Sequence, residues 1–196
     1  MFSIDDFREI DFGDSAFIKP RRFAYTLGSS KVPMAWDLIK VHDCVCTLLF
    51  HAPEKSFILV EQFRPALFVH QKEDKSCAKP DGLSIELCSG IVDKNLSLEQ
   101  IAREECLEET GYLPQIMEPI STFYAGFGTG ASKQSLFFAS VSEEDKKGRG
   151  GGLEDELIRV IKVPVKEYES FIKTRPTSAL SEFAYLWFLA NKKHLI

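Results

Sequence analysis

The chain has 196 residues, 44% of them hydrophobic and 16 of them Phe, enough to build the core of one ordinary domain, with or without an N-terminal extension. Its net charge of -5 argues against a nucleic-acid-binding surface, which needs a basic patch, but not against an anionic substrate, because a bound cation reverses the local sign. Met1–Asp14 is acidic and has no apolar signal-peptide core, no apolar run is long enough to span a bilayer, and five Cys without a CxxC spacing fit a reducing, cytoplasmic setting with no membrane partner.

From the N-terminus, Ala16–Tyr25 and Met34–Lys40 carry aromatic and branched residues around a Gly28-Ser-Ser turn and are predicted as strands. Trp36 is either a core aromatic or a stacking platform for a nucleobase. His42–Phe50 and Ser56–Phe63 read as apolar strands joined by a short turn, with Cys44 and Cys46 on one strand face as small core hydrophobes. Arg64 closes the second strand, where a guanidinium has a specific anionic partner, in a structural ion pair or in a ligand contact. Val69–Asp81 is polar and Pro-ended, a surface loop. Leu83–Cys88 is the next strand, with the carboxylate of Glu86 inside it.

Leu98–Thr110 has neither Gly nor Pro and is rich in helix formers. Ser97 and Gln100 form a capping-box pair, Leu96 and Ile101 are spaced for a hydrophobic staple, and Gly111 supplies the stop. At about 100° per residue, Leu98, Ile101, Ala102, Glu105 and Glu109 fall on one stripe with Glu108 at its edge. Carboxylates therefore continue an apolar stripe, which is costly unless a cation sits among them. The other reading of such a charge run is a solvated acidic face.

Beyond this helix, Ile120–Ala125 and Lys133–Val141 are strands flanking Gly126-Phe-Gly-Thr-Gly-Ala-Ser132. There Gly128 and Thr129 either bring backbone amides to a phosphate or form a plain turn. Glu143–Gly152 is charged, ends in three Gly and reads as a mobile loop. Leu153–Val160 returns to strand with Glu154 and Glu156 at its start. Val165–Lys173 and Thr177–Lys192 are helices, the second with Phe183, Leu186 and Trp187 on one packing face. Strands with few helices and no βαβ rhythm imply a mixed sheet sandwiched between helices.

The stretch Gly90–Tyr112 resembles the Nudix box, G-x5-E-x7-R-E-U-x-E-E-x-G-U, with U a bulky apolar residue. Gly90, Glu105, Glu108, Glu109, Gly111 and Tyr112 match at the right spacing, and Cys106 fills the other U position. Leu96 stands where the first Glu belongs and Glu104 where Arg belongs. The resemblance implies an α/β/α sandwich with a mixed sheet and an N-terminal β extension: residues 1–40 as a possible dimerisation element and 41–196 as the Nudix hydrolase domain. It also implies Mg²⁺, or Mn²⁺ in its place, on Glu105, Glu108, Glu109 and the Ser89 backbone oxygen.

Segments at Trp36, Gln62-Phe-Arg-Pro-Ala66, Glu86 and Gly150-Gly-Gly-Leu153 are similar to the nucleotide-sugar branch of that family. There the resemblance makes Arg64 a diphosphate contact and Glu86 a substrate-facing or supporting residue. It makes Glu156, with Glu154 second, the general base on a closing loop, and leaves a box glutamate such as Glu108 as an alternative base. The implied reaction is hydrolysis of a nucleoside diphosphate sugar by a homodimer, with UDP-glucose giving UMP and glucose 1-phosphate. ADP-ribose or another ADP-sugar is the alternative substrate. A catalytically weak nucleotide-sugar-binding protein is the reading from a different class, motivated by Leu96 and Glu104.

Overall fold

The computed structural model describes residues 4, 6–11, 13, 15, 18–29, 31–153 and 156–196. Two antiparallel hairpins open the chain: β1 (Pro20–Tyr25) with β2 (Met34–Ile39), and β3 (Cys44–His51) with β4 (Ser56–Phe63). The first stands apart as its own two-stranded sheet; the second is the centre of a seven-stranded mixed sheet.

β3 and β4 stay paired only near their turn, over Leu49–His51 and Ser56–Ile58. Beyond that they diverge, and the stretch from Leu83 to Ile91 fills the gap. Its first half, β5 (Leu83–Glu86), pairs with β4; its second half, β6 (Cys88–Ile91), pairs with β3. The single strand predicted over Leu83–Cys88 is thus broken at Leu87, where the chain changes partners. β7 (Glu118–Ala125) and β8 (Ser132–Val141) extend the sheet beyond β3, with β3 and β8 parallel, and β9 (Ile158–Pro164) covers the free edge of β4.

Side chains alternate across a strand, so one sheet feeds two cores. Leu48 and Phe50 of β3, Phe57 and Leu59 of β4 and Phe138 of β8 pack against Tyr168 of α3 (Val165–Ile172) and Phe188 of α4 (Ala179–Asn191). Phe188 stands 4.9 Å from Phe57 and 5.1 Å from Phe50, ring centre to ring centre. On the opposite face, Val45, Leu49 and Ile58 pack against Ile101, Ala102 and Cys106. Helices therefore cover both faces of the sheet. Among the described residues, no helix is long and apolar enough to cross a membrane.

Two helical expectations change. The supposed loop over Val69–Asp81 begins inside a helix, α1 (Pro65–Glu73), which Pro65 starts with its preset φ. No residue of α1 is buried, so it carries no amphipathic pattern for a sequence to reveal. In α4 the buried positions are Ser181, Ala184, Tyr185 and Phe188, whereas Phe183 and Leu186 are exposed. Phe183 packs instead on Phe123 of β7, at 4.7 Å.

Candidate active site

Helix α2 (Leu98–Glu105) starts as its sequence dictates. Ser97 Oγ accepts the Gln100 N–H at 3.2 Å and Gln100 Oε1 accepts the Ser97 N–H at 3.1 Å. It then widens into a π-helical turn over Cys106–Thr110, which Gly111 ends at φ 81°. Ile101 and Ala102 are fully buried and Glu109 is 5% exposed, so the stripe does run from apolar core into carboxylates. Leu98 departs from it and is exposed. Gly90 of β6 explains its own identity: a methyl group there would run into the Glu105 carboxyl.

Glu105, Glu108 and Glu109 border one cavity of about 790 Å³ that opens where β3 and β4 part. The Ser89 N–H donates to Glu109 Oε2 at 2.9 Å. Burial pushes the Glu109 carboxyl up to about 7, against the opposing hydrogen bonds from the Cys88 thiol and the Ser89 amide. Burial, then the neighbouring Glu108 charge, pushes Glu105 up to about 7 as well. Among the described residues, neither Glu105 nor Glu109 has an ion-pair partner. Crowded, half-desolvated carboxylates, two of them without an ion-pair partner, are the hard oxygen set that Mg²⁺ takes, and these residues fit it.

Across the cavity, Arg64 Nε and Nη2 donate to Glu86 Oε1 and Oε2 at 2.8 and 2.7 Å. Ser84 Oγ donates to Glu86 Oε1 at 2.5 Å. Burial alone would raise the Glu86 carboxyl, but the Arg64 and Ser84 hydrogen bonds carry it below the ordinary carboxylate range. Glu86 thus fixes the plane of the Arg64 guanidinium, and both border the cavity.

The loop before β9 is pinned to the end of the glutamate helix. Lys147 and Gly148 N–H groups donate to the Gly111 carbonyl, Gly151 to Glu109 and Gly152 to Glu108, at 2.8 to 3.1 Å. These bonds satisfy carbonyls that a helix end otherwise leaves open. The mobile loop expected over Glu143–Gly152 is therefore a backbone clamp over Lys147–Gly152. Glu156 follows it, borders the cavity, and accepts the Leu153 N–H through Oε2 at 3.1 Å. Glu154 lies outside the described residues.

Trp36, Gly128 and Thr129 come together elsewhere. Trp36 Nε1 donates to the Gly128 carbonyl at 3.0 Å, and the Ile39 N–H to the Thr129 carbonyl at 2.8 Å. This seam ties the β1–β2 hairpin to the β7–β8 turn; none of the three borders the cavity. Trp36 is half exposed, so it is not a core aromatic.

Lys94 is the charged residue that the sequence pattern hides, because the box leaves its position free. Its Nζ lies 2.9 Å from Glu104 Oε2 and 3.9 Å from Glu108 Oε1. A second acidic group, His51, Glu54 and Glu143, gathers at the far end of β3. Lys162 Nζ already stands there, 2.6 Å from Glu54 Oε1 and 3.0 Å from Glu143 Oε1, so an ammonium supplies the cation.

No protein-family model matches the chain. It is 33% identical to the uridine diphosphate glucose pyrophosphatase of Mus musculus, over 90% of each chain. This chain belongs to the nucleotide-sugar pyrophosphatase branch of the Nudix hydrolases. The Bos taurus protein of the same name is 34% identical over 70% of this chain and 72% of its own. A GDP-mannose pyrophosphatase of Cronobacter sakazakii is 35% identical over 61% of this chain and 59% of its own. Against the Nudix pattern, the charge polarity beside the three box glutamates is reversed. The box has its acid in the loop, at position 96, and its base on the helix, at position 104; here Lys94 is in the loop and Glu104 on the helix.

Proposed function

We propose that this Nudix enzyme hydrolyses the diphosphate bond of UDP-glucose, releasing UMP and glucose 1-phosphate, and does so with Mg²⁺ or Mn²⁺. The observation that carries this reading is the single cavity in which three box glutamates face the Arg64–Glu86 fork. Glu105, Glu108 and Glu109, with the Ser89 backbone oxygen beside them, would hold the metal, which supplies charge neutralisation at the diphosphate. Arg64, its plane fixed by Glu86, binds and orients a phosphate and adds positive charge as the transition state spreads its own. Glu156 takes the proton of the attacking water, with Glu154 as the second choice of base on that loop and Glu108 as the alternative among the box glutamates. The P–O bond to the leaving phosphate breaks as the water oxygen bonds to phosphorus.

The mouse and bovine relatives support uridine diphosphate glucose as substrate; the Cronobacter relative makes GDP-mannose the second candidate. In the same reading, residues 41–196 form a Nudix α/β/α sandwich and residues 1–40 a dimerisation element. The separate β1–β2 sheet, with Phe23, Met34 and Trp36 exposed, supports that division, and in this reading Trp36, Gly128 and Thr129 would meet the nucleobase of a site shared across a homodimer. The test is UMP release from UDP-glucose with Mg²⁺, beside GDP-mannose and ADP-ribose, for wild type and Glu109→Gln. Turnover reduced at least ~100-fold in the variant supports the assignment. Turnover unchanged by it overturns the site, and GDP-mannose or ADP-ribose as the better substrate overturns the specificity. Ligand-induced stabilisation without turnover would mark a binding protein.

A further inference from the structure

Glu61 follows Phe57 and Leu59 on the core-facing side of β4, and its side chain is 1% exposed. A buried carboxylate needs a cation, and two guanidinium groups stand at this one. Arg159, its cross-strand neighbour on β9, donates to Oε2 through Nη2. Arg175, in the connection between α3 and α4, brings Nη1 to 3.7 Å from Oε1, an oxygen that accepts no hydrogen bond among the described residues. One guanidinium already balances the charge of Glu61, so the second is surplus to it.

That surplus faces a cavity of about 610 Å³, bordered by Arg159, Arg175, Lys79, Asp81, Phe68 and Leu83. None of these borders the catalytic cavity. With Glu61 behind the wall, three cations meet two carboxylates, in a chain whose net charge is -5. The cluster is therefore a local concentration of positive charge and not a sample of a basic surface.

Its walls are held in place. The Pro176 carbonyl accepts the Ile85 N–H and Thr177 Oγ1 donates to the Ile85 carbonyl, both at 2.8 Å, which fastens the backbone next to Arg175 to β5. Gln71 Oε1 accepts the N–H groups of Asp81 and Gly82 at 3.1 and 2.7 Å and anchors the loop that carries Lys79. Glu61 orients Arg159 as Glu86 orients Arg64. Guanidinium forks beside an ammonium suit a phosphate group, whose charge of about -1.5 to -2 near pH 7 answers several cations at once. Phe68 and Leu83 offer apolar surface to the body that the phosphate carries. Arg159 also borders, together with Glu156, a separate cavity of about 490 Å³, so the cluster adjoins the strand that leads away from Glu156.

We propose that Lys79, Arg159 and Arg175 form a second anion-binding site, outside the catalytic cavity, for the phosphate of a nucleoside monophosphate.

The experiment is calorimetric titration of the full, metal-free chain with UMP, inorganic phosphate and glucose 1-phosphate. Without a metal the catalytic cavity is lined by carboxylates and repels these anions, so the heat reports the second site. Wild type should bind UMP near one equivalent, and Lys79→Gln and Arg175→Gln should each weaken binding at least ~10-fold, the scale of one charge-assisted hydrogen bond. Arg64→Gln, in the catalytic cavity, should bind as wild type does. No binding by wild type, or affinity lost in Arg64→Gln and kept in the exposed-loop variant Lys79→Gln, overturns the site. Inorganic phosphate or glucose 1-phosphate binding as tightly as UMP overturns the assignment to nucleotides. A second measurement needs no variant: saturating UMP should slow modification of Arg175 by phenylglyoxal at least ~10-fold, read by peptide mapping, and an unchanged rate overturns the site. Neither readout involves turnover, so failure here is distinct from failure of the substrate assignment.

Discussion

The N–H of Gly151 donates to the Glu109 carbonyl at 2.8 Å, while the carboxylate of the same Glu109 accepts the Ser89 N–H at 2.9 Å. Glu109 is therefore gripped at both ends, by a loop on one side and by the sheet on the other. The triple-Gly run is what lets the loop come so close. At Gly150, φ is +69° and an added Cβ would stand 2.7 Å from the Glu109 carbonyl oxygen and 2.6 Å from the Thr110 carbonyl carbon.

Gly150→Ala is accordingly expected to destabilise the protein by about 1–3 kcal/mol, the scale of a strained backbone position, and to weaken metal binding through Glu109. Gly148→Ala is the control. Its Cβ would meet Leu107 at an ordinary 3.6 Å, so its cost should stay within about 0.5 kcal/mol. Thermal unfolding of the two variants checks this, and equal melting temperatures would contradict the clamp.

The carboxyls of Glu105 and Glu109, raised to about 7 in the fold from an ordinary 4.5, make a pH prediction for the metal-free protein. The folded state holds these protons more tightly than the unfolded chain does. The stability they contribute is fully present below about pH 4.5 and is lost as pH rises through about 7. With other groups equal, the metal-free melting temperature should fall across that window. Mg²⁺ needs the ionised carboxylates, so its affinity should rise over the same window and its stabilisation should grow. Melting curves at pH 5, 6, 7 and 8, with and without Mg²⁺, test both signs; a metal-free protein that gains stability from pH 5 to 7 would contradict them.

How far these features can be read from the sequence depends on whether they repeat locally. The capping box at Ser97 and Gln100 and the stripe from Ile101 to Glu109 lie within one helix, where 3.6-residue periodicity makes them legible. The apolar strands β3 and β4 are equally plain. The π-turn over Cys106–Thr110 has no sequence period of its own, and α1 buries no residue fully, so neither shows. The clamp of Lys147–Gly152 on Glu108, Glu109 and Gly111 is made of backbone groups, which no residue type announces. Trp36 illustrates the remaining limit: composition offers a core or a stacking role, and only the fold shows its ring nitrogen spent on the Gly128 carbonyl.

The fork between Arg64 and Glu86 yields a third prediction. Arg64→Lys keeps the charge but loses the planar two-point grip, so a phosphate would be held less well. We expect kcat/KM for the diphosphate substrate to fall at least ~10-fold, a loss of about 1.4 kcal/mol in transition-state binding. Glu86→Gln should lower kcat/KM too, because Arg64 loses its orienting partner, while leaving Mg²⁺ affinity close to wild type. Steady-state kinetics with a separate Mg²⁺ titration checks the split. Unchanged kinetics in Arg64→Lys would remove Arg64 from the site.

The reversed pair of Lys94 and Glu104 gives the last prediction, one of epistasis. Both side chains are over 40% exposed, so the ion pair itself contributes only about 0.2–1 kcal/mol to stability. Its larger effect is local, because Lys94 also faces Glu108 at 3.9 Å. Glu104→Arg restores the family residue but sets a second cation against Lys94, in a loop with no acid at position 96. On its own it should lower both melting temperature and Mg²⁺ affinity. Adding Leu96→Glu at that exposed position supplies the missing acid and should recover most of the loss. Measured as a cycle, the two substitutions should couple by about 0.5 kcal/mol or more, with the double variant better than Glu104→Arg alone. Strict additivity would show that the polarity of this corner does not matter to the metal site.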